Sequence, residues 1–204
     1  MIQRYSSCNI FSKPRRLANY PLVFCYRESP DGVLALAKLP KWRIEDISFK
    51  NPPFILILNA LEKPGNIGAL LRTADSVGVD AVILSGDGAD LYNPNVIRAS
   101  MGSLFALPVL EITACELLSW LKIQNIKVVA ASPEAEKLYW DQDASQGIAI
   151  VLGTEHAGLD NFWSKKADEW LKIPMQGSAD SLNVATSGAL ILYEVLRQRR
   201  TKLD

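Results

Sequence analysis

The chain has 204 residues, of which 49% are hydrophobic, and its 22 Lys and Arg residues balance 22 Asp and Glu residues. This composition provides for one domain with a substantial core and excludes a globally basic nucleic-acid-binding protein, although a local basic face is compatible with it. Three widely separated cysteines, a single histidine and no apolar run of membrane-spanning length exclude a zinc site, a disulfide scaffold and a membrane span, so we expect a metal-free protein of the cytoplasm.

Residues 1–50 are more irregular than the rest of the chain. Within them the segment GVLALAKLP at 32–40 alternates apolar and small residues, which is compatible with a strand. A polar link then ends at Asn-Pro-Pro, 51–53, where we place a boundary. We therefore expect an N-terminal extension over residues 1–50 and a main domain over residues 51–204.

Beyond this boundary, strand and helix patterns alternate along the chain. Short continuous apolar runs such as FILILN at 54–59 are typical of strands buried on both faces of a sheet. Apolar residues recur at helical spacing within NIGALLRTADSVG at 66–78, and Gly78 supplies a stop. This alternation predicts an α/β fold with a mainly parallel sheet and helices on both faces. The predicted strands are 54–59, 81–86, 107–112, 127–132, 147–155 and 169–174; the predicted helices are 66–78, 93–102, 114–124 and one that begins near residue 182 and closes the chain.

The polar and glycine-rich residues are concentrated in the loops that follow the predicted strands. In open α/β sheets, ligands bind beyond the carboxyl ends of the strands. We therefore expect the functional edge of the sheet to be formed by the loops after Asn59, Ser85, Ala131, Leu152 and Ile173.

The first informative loop is EKPGNIGALLR at 62–72, which combines two glycines with an arginine. Its glycines would let the backbone turn sharply and let a partner approach closely. Asn66 is suited to capping the following helix, and Arg72 to a surface ion pair with Asp75. The functional alternative for Arg72 is contact with a phosphate or an electron-rich oxygen, because a guanidinium offers five donors in one plane.

The second loop is VLGTEHAGL at 151–159, where a strand runs into an exposed glycine turn. It has neither the glycine spacing of a dinucleotide fingerprint nor a phosphate-loop motif. Glu155 can be an ordinary solvent-exposed residue of the turn, or it can belong to the rim of a site for a small polar ligand. His156 is a candidate general base, but a lone histidine in a turn is more often solvated.

The third loop leads into the last helix, LKIPMQGSADSLNVATSGALILYE at 171–194. Ser181 and Asn183 are polar residues at the head of a helix that is otherwise apolar or small. The run ATSGA at 185–189 would let another backbone or a cofactor come very close, and it is equally typical of tight helix packing.

Together, in this order and at this spacing, the three loops resemble the motifs of the SpoU (TrmH-like) family of RNA ribose 2'-O-methyltransferases, within the SPOUT superfamily. The matching segments are 66–72, 152–159 and 173–194, and the resemblance covers about 52–198. One departure is His156, where family members often have Gly. Upstream, ESPDGVLALAKLP is similar to the tail of a small RNA-binding domain, of which the N-terminal extension can be a remnant.

The resemblance implies a fold in which the C-terminal part threads through a loop to form a deep trefoil knot. In the family this knot forms the S-adenosylmethionine site from the second and third motifs. The residues implied in cofactor binding are Ala130, Ala131, Gly153, Ile173, Met175 and Leu182.

The implied reaction transfers a methyl group from S-adenosylmethionine to a ribose 2'-hydroxyl of tRNA or rRNA. Arg72 would stabilise the developing alkoxide rather than act as a base, because arginine is essentially always protonated. The other implied catalytic residues, which would orient Arg72 and the ribose, are Asn66, Glu155, Ser181 and Asn183.

Family members are homodimers in which RNA lies across both subunits. We expect phosphate contacts from Arg72, Arg98 and the basic clusters at 13–16 and 197–202, although solvated termini explain these clusters equally well. Two alternatives stay open: a knotted RNA-binding or regulatory protein without turnover, and an RNA methyltransferase that acts on a base nitrogen.

Overall fold

The sheet is built from the apolar runs, because a strand between two helical layers must be apolar on both sides. In the computed structural model, which describes residues 39–154 and 158–201, seven parallel strands are arranged in the order β3-β2-β1-β6-β4-β7-β5. They are β1 (Phe54–Asn59), β2 (Ala81–Ser85), β3 (Val109–Glu111), β4 (Lys127–Ala131), β5 (Lys137–Leu138), β6 (Ile148–Leu152) and β7 (Glu169–Lys172). The predicted α/β fold with a mainly parallel sheet is confirmed.

Helices cover both faces of this sheet. They are α1 (Pro64–Val77), α2 (Pro94–Ala99), α3 (Ala114–Ile123), α4 (Asn161–Lys166) and α5 (Val184–Thr201). Leu56 and Leu58 of β1 belong to the core that contains α1, α2 and α5, whereas Ile55 and Ile57 belong to the core that contains α3 and α4. Successive side chains of a strand point to opposite faces, so β1 contributes to both cores.

The compact unit that contains the sheet begins at Trp42. Ile47 is buried in the core on the α3 side, and Trp42 and Phe49 pack against that core. The boundary expected at residue 51 therefore falls within chain that packs on the sheet. The strand expected over 32–40 lies outside the described residues, apart from its last two positions.

Two short elements, β5 and α4, are not predicted by the sequence patterns. The two-residue β5 is too short to show alternation, and the six residues of α4 are too few to show a helical period. The local signal that remains is the cap of α4, because the Asp160 carboxylate accepts from the backbone N–H groups of Phe162 and Trp163 at 3.0 and 2.9 Å.

The start of α1 differs from the expectation that Asn66 caps this helix. The helix begins at Pro64, which suits a first helical position because proline has no N–H to satisfy there. Lys63 stands at the cap position without a side-chain cap bond, and Asn66 lies in the first turn. The expected stop is confirmed, since Gly78 takes a left-handed conformation with φ 71°.

Two glycines allow α1 to pack closely between its neighbours. A Cβ on Gly68 would lie 2.8 Å from the backbone nitrogen of Ser100, at the end of α2. A Cβ on Gly188 of α5 would lie 2.7 Å from Cδ1 of Leu152 and would also collide with Leu70 of α1. The close approaches expected from the small residues are thus made within the fold.

Arg199 anchors the end of α5 to the amino edge of the sheet. Its guanidinium donates to the carbonyl oxygens of Pro52, Pro53, Ala144 and Gln146 at 2.9–3.0 Å. Burial lowers the pKa of Arg199, but this guanidinium remains charged at neutral pH because the ordinary arginine value is so high. This member of the 197–202 cluster is therefore a structural residue rather than a free RNA contact.

A second residue of that cluster is engaged within α5. Arg197 donates two hydrogen bonds to the Glu194 carboxylate, at 2.9 and 2.7 Å. This contact holds the pKa of Glu194 below its ordinary value.

Among the described residues, no helix has the length and apolarity to cross a membrane, and no group of His, Cys, Asp and Glu side chains is arranged to hold a metal ion.

The close packing of α1 on α2 generates a prediction for two glycines of the same helix. Gly68→Ala should destabilise the protein by about 2 kcal/mol, because its methyl group would meet the backbone of α2 rather than a movable side chain. Gly65→Ala is the matched control, since no atom of the described residues outside its own helical turn lies within 4 Å of the added Cβ. It should leave stability unchanged or raise it by up to about 1 kcal/mol. Urea unfolding measures both changes, and equal stabilities of the two variants would contradict this account.

Candidate active site

A cavity of about 610 Å³ lies beyond the carboxyl ends of three neighbouring strands. Ala131 ends β4, Leu152 ends β6, and Ile173 directly follows β7; all three line the cavity, which we call the β4–β6–β7 cavity. In the sheet, β6 lies between β1 and β4, although it follows both of them in the sequence. This insertion brings together loops from distant parts of the sequence at the edge where parallel sheets bind ligands.

One wall of the cavity is the glycine turn after β6. Thr154 and Gly158 exchange two backbone hydrogen bonds, with N···O distances of 2.9 and 3.0 Å. Gly153 is required for this closure, because a Cβ there would lie 2.7 Å from the backbone nitrogen of Leu159 and would collide with the Gly158 carbonyl. Gly153, Thr154 and Gly158 line the cavity, while Glu155 and His156 lie outside the described residues.

A second wall of the cavity is the segment that enters α5. Met175, Ser181 and Leu182 line the cavity, and Val184 and Ser187 of α5 continue the wall.

Asn183 connects this wall to α1. Its Oδ1 accepts from the backbone N–H of Ala185 at 2.9 Å, which makes Asn183 the N-cap of α5. The oxygen is thereby committed, so the amide nitrogen is the group that donates to Oδ1 of Asn66 at 3.2 Å. The two asparagines are 117 positions apart, and their bond places the first turn of α1 beside the cavity wall.

The two arginines implied in RNA contact both lie on helix surfaces. Arg72 of α1 is exposed, and among the described residues its guanidinium has no hydrogen bond or ion pair. The ion pair expected with Asp75 is not formed; instead, Asp75 accepts from the hydroxyl of Ser103 at 3.0 Å. Arg98 is exposed on α2, which packs against α1 at Gly68.

Most, but not all, of the expected site residues meet at the cavity. Five of the six positions expected to bind the cofactor line it: Ala131, Gly153, Ile173, Met175 and Leu182. Ala130 does not, because it is completely buried within β4. Ser181 lines the cavity, whereas Arg72, Asn66 and Asn183 do not.

Several polar lining residues were missed by the sequence analysis. They are Ser132, Glu134, Thr154, Ser164, Asp180 and Ser187. Ser164 and Ser187 lie within α4 and α5, so no loop position marked them. The available signal for the others was their place after a strand or before a helix, at the edge where ligands bind. Such positions are common in any α/β chain, so the signal could not separate them from ordinary loop residues.

The cavity fits S-adenosylmethionine in its chemistry. Apolar side chains of Leu152, Ile173 and Leu182 suit the adenine ring, and the small residues Ala131 and Gly153 keep the floor open. The carboxylates Glu134 and Asp180, which also line the cavity, suit the positive charges and hydroxyl groups of the cofactor.

Comparison with known proteins places this geometry in a family. Residues 53–193 match the family model described as the SpoU rRNA Methylase family. A 23S rRNA (uridine(2479)-2'-O)-methyltransferase of Streptomyces viridochromogenes is 34% identical over 178 residues, which are 84% of this chain and 62% of that protein. A 23S rRNA (guanosine-2'-O-)-methyltransferase RlmB of Coxiella burnetii is 38% identical over 151 residues, which are 74% of this chain and 60% of that protein.

Solved structures with a similar fold are also those of methyltransferases. The SpoU methyltransferase AviRb from Streptomyces viridochromogenes, in complex with the cofactor AdoMet, superposes with a TM-score of 0.78 at 34% identity, covering 82% of this chain and 68% of that one. A structure described as an RNA 2'-O ribose methyltransferase superposes with a TM-score of 0.76 at 47% identity, covering 86% and 67%.

The chain spans less than two thirds of the length of these two curated relatives. The matched part nevertheless contains the whole sheet from β1 to β7, the glycine turn and the start of α5, which together form the β4–β6–β7 cavity. The resemblance found in the three loops is confirmed: the chain belongs to the SpoU rRNA Methylase family.

Proposed function

We propose that this protein transfers a methyl group from S-adenosylmethionine to a ribose 2'-hydroxyl of rRNA or tRNA. The observation that carries the proposal is the Asn66–Asn183 hydrogen bond, which joins the helix of Arg72 to the wall of the β4–β6–β7 cavity. Relatives named as 2'-O-methyltransferases of 23S rRNA support the ribose as the acceptor, in preference to a base nitrogen or to binding without turnover.

The residues that would hold S-adenosylmethionine are those of the cavity walls and floor: Ala131, Gly153, Ile173, Met175 and Leu182. When bound, the cofactor supplies an electrophilic methyl group with a good leaving group already attached. The task of the chain is therefore to position the ribose and to stabilise the charge that develops on its oxygen.

Arg72 would perform this stabilisation. Its exposed guanidinium is available to RNA, and it offers two parallel N–H groups to an oxygen or to an adjacent phosphate. A guanidinium is a poor base, so hydrogen bonding to the developing alkoxide is the role that suits it. Asn66, Glu155, Ser181 and Asn183 would orient Arg72 and the ribose.

The assembly would be a homodimer with a knotted C-terminus. The knot is supported by the shared cavity, since the glycine turn after β6 and the segment before α5 both line it. The dimer is supported by Leu190 and Tyr193, two large apolar side chains that are 38% and 51% exposed on α5. Burial of such residues against a second copy would remove apolar surface from water.

RNA would be held by a local basic surface that includes Arg72 and Arg98, which gives salt-sensitive binding despite the net charge of zero. With rRNA or tRNA as substrate, we expect the protein to act in the cytoplasm.

The role of Arg72 is tested by Arg72→Ala. Methyl transfer should fall by more than about 100-fold, the usual effect of removing a group that stabilises a developing oxyanion. Binding of S-adenosylmethionine should be retained, because Arg72 does not line the cavity. Transfer of labelled methyl groups into RNA and equilibrium dialysis of the cofactor measure the two quantities.

The control for this experiment is Arg43→Ala, which removes another exposed arginine and should leave both quantities unchanged. Near-normal methyl transfer by Arg72→Ala would contradict the proposed role. Analysis of the labelled nucleosides tests the reaction itself, since label in a methylated base rather than in a 2'-O-methyl nucleoside would overturn it.

The Asn66–Asn183 contact is tested by Asn183→Ser. Serine is also a good N-cap but is too short to reach Asn66, so stability should change by less than about 0.5 kcal/mol while methyl transfer falls about tenfold. Asn183→Ala removes the cap as well and should cost about 1 kcal/mol in addition. Urea unfolding and methyl-transfer rates separate the two roles, and wild-type activity of Asn183→Ser would exclude the positioning role.

The dimer is tested by sedimentation at micromolar concentration. We expect twice the monomer mass for the full chain and a shift towards the monomer for Tyr193→Asp, which places a charge on the exposed apolar face of α5. A monomeric wild-type protein would contradict the expected assembly.

A further inference from the structure

A second cavity, of about 720 Å³, occupies the other half of the same sheet edge. Leu58 of β1, Leu84 and Ser85 of β2 and Glu111 of β3 line it, and we call it the β1–β2–β3 cavity. It shares no lining residue with the β4–β6–β7 cavity, so the cofactor chemistry described above leaves it without a role.

Two buried polar atoms at this edge have no hydrogen-bond partner among the described residues. They are Oγ of Ser85, whose residue is 2% exposed and lines the cavity, and Oδ1 of Asn59, whose residue is 1% exposed. Asn59 and Ser85 are register partners at the ends of β1 and β2. A buried polar group without a partner costs about 1–3 kcal/mol, so Ser85, the one of the two that lines the cavity, favours a ligand that supplies its missing hydrogen bond.

The rim of the cavity is acidic. Asp87, Asp90 and Glu111 line it, and the described residues around it include no Lys, Arg or His. Asp90 and Glu111 lie near the phenol of Tyr92. Burial raises the pKa of Tyr92, and the negative charges of Glu111 and Asp90 raise it further. The carboxylates are not arranged to hold a metal ion, and they would repel the phosphate groups of RNA.

The position of the cavity connects it to the proposed reaction. Leu58 lines the β1–β2–β3 cavity, and its register partner Leu152 on β6 lines the β4–β6–β7 cavity. Neighbouring strands lie about 4.8 Å apart, so the two cavities adjoin along one edge. Ala60 and Leu61, which also line the second cavity, belong to the loop that leads into α1 and Asn66.

We propose that the β1–β2–β3 cavity binds the base of the nucleotide whose ribose is methylated, and that this base is guanine. The inference rests on the proposed function, because it concerns the same RNA substrate. A base that is turned out of its stack can enter a pocket beside the reacting ribose, while the acidic rim keeps the phosphate backbone outside.

Guanine is favoured by the pattern of donors and acceptors. Its Watson–Crick edge places N1–H and the exocyclic amino group side by side, and two adjacent donors match the two oxygens of one carboxylate. Cytosine and adenine place a ring acceptor next to their amino group, and uracil flanks its single N–H with two carbonyl oxygens, so each would turn an acceptor toward a carboxylate. The hydroxyl of Ser85 can donate to O6 of guanine, which supplies its missing partner.

The first experiment determines which base is used. The full chain is incubated with S-adenosylmethionine labelled in the methyl group and with total RNA from cells that lack this protein, and the RNA is digested to nucleosides. We expect the label in 2'-O-methylguanosine. Label in another 2'-O-methyl nucleoside would overturn this inference and leave the proposed function intact, whereas no label in any nucleoside would overturn the proposed function and this inference with it.

The second experiment tests the carboxylates directly, on a short RNA that carries the mapped target guanosine or inosine, which lacks the exocyclic amino group. Wild-type kcat/KM should favour guanosine by about tenfold, the usual effect of losing one base-specific contact. In Glu111→Gln and Asp87→Asn this preference should fall towards unity, while the dissociation constant for S-adenosylmethionine stays within about twofold.

The control is Asp46→Asn, which neutralises an exposed carboxylate that does not line either cavity and should keep the wild-type preference. A merely structural role of Glu111 and Asp87 would lower the rates for guanosine and inosine by the same factor. An unchanged ratio in both variants would therefore overturn the proposal.

Discussion

The close packing of α1 between α2 and α5 is the constraint on which the candidate site depends. It is possible because Gly68 and Gly188 carry no side chain where the neighbouring atoms approach. This packing holds the starts of α1 and α5 together, so that Asn183 reaches Asn66 across 117 positions of sequence. A larger residue at Gly68 would meet backbone at the end of α2 and push α1 away from it, whereas a larger residue at Gly188 would meet the movable side chains of Leu70 and Leu152.

Residues at the two edges of the sheet have different roles. At the amino edge, Arg199 fastens the end of α5 to four backbone carbonyl groups, and Asp80 accepts from the backbone N–H of Phe54 at 2.8 Å at the start of β1. At the carboxyl edge, backbone N–H groups also join neighbouring strand ends, from Ala60 to the Ser85 carbonyl at 2.8 Å and from Ser132 to the Leu171 carbonyl at 2.9 Å, but the loops beyond them leave open space. They line two adjoining cavities, one with an apolar floor and small residues and the other with an acidic rim.

Whether a sequence pattern could predict an element depended on how far apart in the sequence the residues that stabilise that element lie. Strands such as β1 and helices such as α1 were predictable, because burial on both faces or on one stripe leaves a periodic pattern in consecutive residues. The two-residue β5 depends on pairing with β7, and the short α4 depends on Trp163 in the core, so neither has a pattern of its own. The cap role of Asn66 failed for a similar reason, because Pro64 allowed α1 to begin earlier and left Asn66 for a partner on α5.

The sequence by itself determined the α/β class, the three loops that mark the family, and five of the six positions expected to bind the cofactor, because these features depend on local composition and on motifs. Only the tertiary structure decided what those residues do beside one another. It showed that Gly188 of α5 serves packing on α1, that Arg199 is fixed inside the fold while Arg72 remains exposed, and that Asn183 both caps α5 and holds Asn66. The reason is physical: hydrogen bonds and close contacts between distant segments depend on the order in which strands join the sheet, and here β6 enters between β1 and β4.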